Sequence, residues 1–461
     1  MAIVTDRSHP SLAPDAVERL RARLKGRLIL PGDEDFDARR RVWNGMIDRR
    51  PALIAECACA EDVQAAVGFA RAEGLALAVR GGGHSAAGLG TREDGMLIDL
   101  AGMRAVAVDP AARTVRAEGG VTWSEFDAAT QAHGLATTGG AISTTGIGGL
   151  TLGGGVGWLM RRFGLASDNV LAFDVVTADG ELVTASADAH PELYWALRGG
   201  GGNFGVVTAF TYRLHPVGDV TSGMIVHPAD RAGDMLRFYR DATQRASDEF
   251  AIFAGLMISP DGDSVGALVA CHSGEADVAD AELAPVRSFG PPVADDVMRR
   301  PYTAHQAMLD PAFPAGLQVY WKGHSLERLS DEVIDVLVRQ FGRITSPLSV
   351  MLIEHLGGEV ARIDADATAF DHRDAAYNLA IIARWADPAD AERHIAWARE
   401  TFEAVRPFAS GVYVNYLGIG DGAERVRDAY GEAKYARLAQ VKARYDPGNV
   451  FSGNQNIAPA G

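Results

Sequence analysis

The sequence predicts an α+β chain of more than one structural unit, on three observations. Between residues 52 and 216, apolar runs of strand length alternate with amphipathic helical stretches and dense glycine. Near 216–222 ("PVGDVTS") the pattern changes to longer alternating runs mixed with amphipathic helices. The length of 461 residues also exceeds what a single hydrophobic core usually takes.

Residues 52–56 ("ALIAE") read as a short strand. In "EDVQAAVGFARAEG", Val63, Ala66, Val67 and Ala70 share one helical face and Gly74 stops the helix. A strand over 75–79 follows, then "GMLIDLAGM", then a pair about a proline-containing turn in "AVAVDPAARTVRAEGG". "TWSEFDAATQAHG" reads as a helix with Thr122 as cap, Glu125 at the capping-box position and Gly134 as stop. "DNVLAFDVVTADGELVTAS" is a strand pair about an Asp-Gly turn. Beyond 222, "AIFAGLMI", "VGALVACH" and "LQVYWKGH" alternate as strands, and "LSDEVIDVLVRQFG" is an amphipathic helix. The last fifty residues are expected to form a strand at "GVYVNYLG", a helix and an irregular tail that packs back.

A net charge of −16 argues against a nucleic-acid partner, because phosphate binding wants clustered Lys and Arg. Three cysteines, Cys57, Cys59 and Cys271, lack zinc or redox spacing and read as small buried residues of a reducing compartment. The amino terminus shows no basic-then-apolar leader, and no 18-residue apolar span occurs, so a cytoplasmic protein without a membrane partner is expected. The histidines form neither H-E-x-x-H nor a facial triad, and no metal is expected.

Three glycine-rich stretches stand out: 81–83, 146–157 and 199–205. Glycine lets backbone amides approach a ligand closely, and successive amides make nests for phosphate oxygens. Familiar nucleotide motifs do not account for them. Residues 200–205 satisfy G-x-G-x-x-G but follow a helical "PELYWALRG", no P-loop exists, and Ala87 stands where a hydrolase elbow needs glycine. Any one stretch alone reads as a tight turn; three together, flanking strands in one half of the chain, point toward a large phosphate-containing cofactor. "LALAVRGGGHSAAGLG" ends its first glycine run at His84, whose chemistry alone allows a turn residue, base, ligand or attachment point.

Together, "VRGGGHSAAG", "GIGGLTLGGGVGWLMRRFGLASDNVLAFDVVTADG", "LYWALRGGGGNFGVVTAF" and "YVNYLG…YDPGNVFSGNQNIAP" resemble the FAD-linked oxidases of the vanillyl-alcohol-oxidase (PCMH) type. Within these the chain is similar to the berberine-bridge-enzyme-like branch, with the 6-hydroxynicotine oxidases and flavin oxygenases of bacterial polyketide pathways. The resemblance spans roughly residues 35–460. It implies an N-terminal extension (1–34), a two-lobed FAD-binding domain (35–217) and an α+β substrate domain (218–410) whose antiparallel sheet covers the flavin. A C-terminal segment (411–461) would return to the FAD domain.

The resemblance also implies site residues. His84 takes the position bonded to the flavin 8α carbon. Ile142 stands where many members have a cysteine, so a single histidyl link and no cysteinyl link are expected. Arg80, Gly81, Gly82, Gly83, His84, Ser85 and Gly88 match the first pyrophosphate loop. Ser143, Thr144, Thr145, Gly146, Gly149 and Gly153 match segments beside the flavin ring, with Thr145 bordering its oxygen-reactive face. Asn169 ends the "GLASDN" turn, Gly202, Asn203, Gly205 and Val207 match the adenine or diphosphate end, and Asn454 and Asn456 match a tail that approaches the flavin.

On the substrate side, Tyr413 matches an aromatic held over the flavin that acts as base or hydrogen-bond donor. Glu354 is the candidate base on the strand "SVMLIEHLGG". Alternation puts it with Leu352 on one face, opposite Met351, Ile353 and His355. Tyr320, Trp321, Lys322 and His355 are candidate substrate contacts. The implied activity is oxidation of an alcohol or amine C–H of a small or secondary-metabolite substrate with O2, by a monomer or homodimer. The alternatives are a flavin-dependent oxygenase of a polyketide or aromatic pathway and a non-catalytic flavin-binding protein.

Overall fold

The computed structural model describes residues 12–461. Most of the stretch read for a leader, residues 1–11, lies outside it. The first lobe is a four-stranded sheet in the order Arg27–Ile29, Leu53–Glu56, Met96–Asp99, Leu77–Arg80. The last three strands run parallel. Such strands need a covered face, and helix Ala60–Ala72 supplies it: Val63, Ala66, Val67 and Ala70 are fully buried. Gly74 ends that helix at φ +66°, a conformation that side chains resist. Arg27–Ile29 joins this sheet antiparallel to Leu53–Glu56, so the lobe takes in chain upstream of position 35.

The second lobe is an antiparallel five-stranded sheet, ordered Val106–Asp109, Thr114–Glu118, Val206–Arg213, Val170–Val176, Leu182–Ser186. Helix Trp123–Gln131 opens with the expected box. The Thr122 amide donates to the Glu125 carboxylate at 2.9 Å, and Gly134 follows at φ +66°. Residues 139–157, which suit neither periodicity, form loops around one short helix, Ile147–Leu152.

From Val220 onward the chain builds an eight-stranded antiparallel sheet. From Val220–Pro228 it runs through Ser264–His272, Phe250–Ile258, Val350–His355 and Tyr377–Trp385 to the edge strand Gln318–Leu326. Helices Ala232–Thr243, Ala276–Ser288, Asp331–Phe341 and Ala391–Val405 pack on one face, with Met351, Ile353, Leu379 and Ile381 in that core. Alternation sends Trp321, Leu352, Glu354 and Ile382 to the other face, toward the glycine loops.

The segment expected as a strand at "YVNY" is instead a 3-10 turn, Val414–Tyr416. Three residues per turn bring positions i and i+3 to one side. Tyr413 and Tyr416 accordingly meet edge to face with centroids 5.0 Å apart. Helix Gly431–Tyr445 then leads to the tail. Asn203 Oδ1 accepts the Ile457 amide at 3.0 Å, and Asn454 Nδ2 donates to the Gly202 carbonyl at 2.9 Å. The carboxyl end is thereby fastened to the 199–205 loop.

Candidate active site

A cavity lies between the glycine loops and the helix-free face of the large sheet. Its lining runs from the 201–205 loop and Asn454 past His84 to Trp321 and Glu354, an extent that suits a dinucleotide together with a substrate. Gly81, Gly82, Gly83, His84 and Ser85 line it where they leave strand Leu77–Arg80. Thr145, Gly146 and Gly149 line it from the second lobe, and Gly202, Gly205, Val207 and Asn454 from the far end.

The loops leave no room for side chains behind them. A Cβ on Gly82 would lie 2.4 Å from the Gly146 nitrogen, and one on Gly146 would lie 2.3 Å from the Gly82 nitrogen. A Cβ on Gly149 meets nothing within 4 Å, because that side faces the cavity. Bare backbone lining a deep cleft fits a diphosphate held by amide N–H groups. Arg80 does not add its charge: its guanidinium turns into the sheet, with Nη2 2.5 Å from Asp99 Oδ2 and Nε 3.1 Å from Oδ1. Both residues are buried.

His84 stacks on Trp43, with centroids 4.5 Å apart and planes 19° from parallel. Its Nε2 lies 3.4 Å from the Thr144 hydroxyl. Burial pushes its pKa down to about 4, against the opposing pull of Asp310, so the ring is neutral at pH 7 and a nitrogen lone pair is available.

On the sheet side, the cavity is walled by Trp321, Leu352 and Ile382, with Leu309 and Phe313 beside them. Glu354 is the only carboxylic acid among the lining residues, and it is 3% exposed. Burial raises its pKa to about 7, while the neighbouring Tyr416 and, across the strands, Asn378 pull it down. Its Oε2 has no partner with good geometry. Tyr413, also lining the cavity, accepts the Gly155 amide at 3.0 Å and Asn415 Nδ2 at 2.7 Å. Burial lifts its phenol to about 12, so it keeps a hydrogen to donate.

Several expected site residues stand outside this lining. Tyr320, Trp321 and Lys322 cannot share a face on one strand. Only Trp321 faces the cavity; Tyr320 Oη accepts from Arg399 at 3.0 Å, and Lys322 pairs with Asp421 at 2.6 Å. By the same alternation His355 points away from Glu354. Its Nε2 sits 3.1 Å from Arg161 Nη1, and burial pushes its pKa down to about 2. Asn169 holds a turn, donating to the Phe163 and Leu165 carbonyls at 2.9 Å each. Asn203 fastens the tail, and Gly153 packs under Asn415. Gly88, at φ +70°, sits against Ile47. Ser143 and Thr144 stand just behind the wall, and Asn456 is likewise outside it.

Sequence reasoning missed Trp43, Leu309, Phe313, Asn415 and Tyr416. The Tyr-x-x-Tyr spacing of 413–416 carried a usable sign of the last two. Trp43 reaches His84 only through the tertiary fold.

The comparisons with known proteins agree with this geometry. Residues 51–186 match the FAD binding domain family, and residues 412–458 match the berberine and berberine-like family. The chain is 31% identical over 439 residues to an FAD-linked oxidoreductase of Dictyostelium discoideum, covering 95% of each protein. It is 33% identical over 460 residues to (R)-6-hydroxynicotine oxidase of Paenarthrobacter nicotinovorans, covering 95% of this chain and 98% of that one. The crystal structure of 6-hydroxy-D-nicotine oxidase from Arthrobacter nicotinovorans superposes with a TM-score of 0.88 at 30% identity, covering 95% and 98% of the two chains. The glycine cradle, the antiparallel sheet above it and these full-length relatives make the chain an FAD-dependent oxidoreductase of the PCMH type, in the berberine-bridge-enzyme-like family.

Proposed function

We propose that the protein is an oxidase that holds FAD through one bond to His84 and removes hydrogen from an alcohol or amine carbon of a compact substrate, with O2 as electron acceptor. The observation that carries this reading is that Glu354, the sole lining carboxylic acid, shares one cavity with His84 and the glycine loops. Bound FAD supplies an acceptor for two electrons and a substrate hydrogen. The amides of 81–85, 146–149 and 202–205 hold its diphosphate, and the neutral imidazole of His84 offers the lone pair that attachment needs. Ile142 in place of cysteine leaves that segment without a second link.

Trp321, Leu352 and Ile382 present an apolar wall that orients a flat or alicyclic substrate and keeps water out. Glu354 takes the proton from the substrate hydroxyl or amine; a pKa near 7 suits a base working near neutral pH. Tyr416 donates to the carboxylate formed, and Tyr413 donates its remaining hydrogen toward the substrate.

The test is a panel of small alcohols and amines mixed anaerobically with the holoenzyme, then exposed to air. The reading expects a substrate that bleaches the flavin and yields one hydrogen peroxide per turnover. Glu354→Gln should lower kcat by roughly 10²- to 10⁴-fold with flavin content unchanged. Label from ¹⁸O2 entering the product would make the protein an oxygenase, and a flavin that no substrate bleaches would make it a carrier.

A further inference from the structure

We propose that Asp310 is a positioning residue for flavin attachment: by clamping Ser143 it fixes the wall segment 141–146 against His84. The clamp is two-pronged. Asp310 Oδ1 accepts the Ser143 amide at 2.9 Å, and Oδ2 accepts the Ser143 hydroxyl at 2.5 Å. Ala141, Ile142, Thr145 and Gly146 in that segment line the cavity, and Thr144 brings its hydroxyl to His84 Nε2. Asp310 belongs to the chain that builds the large sheet, whereas Ser143 belongs to the second lobe. The contact therefore joins the two units at the attachment end.

The same strap braces the other side of the imidazole. The Phe313 carbonyl accepts the Trp43 indole N–H at 3.1 Å, and Trp43 stacks on His84. The Gly316 amide donates to the Trp43 carbonyl at 2.9 Å, and the Gly45 amide donates to the Leu317 carbonyl at 2.7 Å. Gln306 Nε2 reaches the Gly140 carbonyl at 2.7 Å, one residue before the wall segment. Residues 306–317 thus grip both flanks of His84 while Leu309 and Phe313 themselves line the cavity. A ring held on its face by Trp43 and at its Nε2 edge by Thr144 has one orientation, and Asp310 keeps the Thr144 side in place.

The inference rests on the reading that FAD is bonded at His84. Attachment replaces one 8α C–H of the flavin methyl by a C–N bond to the imidazole, whose N–H proton is released with the methyl hydrogen. The two electrons reside on the flavin until dioxygen accepts them, giving hydrogen peroxide. Such a step depends on the angle and distance at which the imidazole meets the methyl, which is what a clamp controls.

The experiment follows acid-stable flavin with time after FAD is added to full-length protein produced without flavin. Wild type, Asp310→Ala, Asp310→Asn and Ser143→Ala are compared, with noncovalent FAD affinity and Tm measured in parallel. Asp310→Ala should slow attachment on the order of a hundredfold while affinity and Tm stay close to wild type. Asp310→Asn, which keeps an acceptor for the Ser143 amide and a donor for its hydroxyl, should restore most of the rate. An Asp310→Ala protein that attaches FAD at the wild-type rate, or loses attachment only in step with affinity and Tm, overturns the proposal. Wild type that never forms acid-stable flavin overturns the His84 reading and this one with it, so the two failures are told apart by the wild-type lane.

Discussion

The half-buried Tyr416 phenol stands beside the buried Glu354 carboxyl in the wall of one cavity, placed to donate a hydrogen bond to it. This bond stabilises the charged form, in opposition to the burial that raises the glutamate to about 7. Turnover should therefore climb with pH through an apparent pKa near 7. Tyr416→Phe removes the donor and should carry that limb to higher pH, leaving the plateau within about tenfold. An acid limb that stays in place in Tyr416→Phe would show that another group titrates.

The same carboxyl links stability to pH. Its pKa is about 7 folded against 4.5 for an ordinary glutamate, so the folded chain holds this proton the more tightly. The resulting stability is fully present below pH 4.5 and is lost as pH rises through about 7. Glu354→Gln keeps a neutral group there. Denaturant titrations should find it more stable than wild type at pH 8, by up to about 3 kcal/mol, and little different at pH 4.5.

The glycine loops predict opposite outcomes for similar substitutions. Gly82→Ala pushes a methyl into the Gly146 backbone and should cost roughly 1–3 kcal/mol or more of apoprotein stability. Gly149→Ala, with nothing within 4 Å and a place in helix Ile147–Leu152, should leave the apoprotein as stable or slightly better. Its methyl enters the cavity, so the flavin content of the purified protein should fall. Thermal melts with absorbance at the flavin band separate the two.

No cation faces the substrate end of the cavity: among its lining residues only Arg80 is an arginine or lysine, and Asp99 neutralises it. Substrates bearing a carboxylate should be turned over on the order of a hundredfold less efficiently than neutral isosteres, an unpaired buried charge costing about 3 kcal/mol or more. Ratios of kcat/KM for matched pairs measure this. Equal ratios would place the substrate elsewhere.

What the sequence disclosed followed the range of the interactions involved. Helix Ala60–Ala72, the Thr122 box and the Asp-Gly hairpin were legible because periodicity and turn chemistry are local. The glycine loops were legible because bare backbone is written directly as glycine. Alternation separated Glu354 from His355, and the same rule applied to 320–322 would have kept Trp321 alone. "YVNY" reads apolar enough for a strand, yet it turns so that both tyrosines and Asn415 reach the cleft. Trp43 and Asp310 carry no local mark, since each acts across more than 40 residues of chain.

The most direct measurement is mass spectrometry of the proteolytic peptide that contains His84, taken from acid-precipitated protein after expression with ample riboflavin. This peptide should carry the flavin, the yellow colour should stay in the pellet, and His84→Ala should release it to the supernatant. An unmodified His84 peptide from a protein that is yellow in its native state would contradict it.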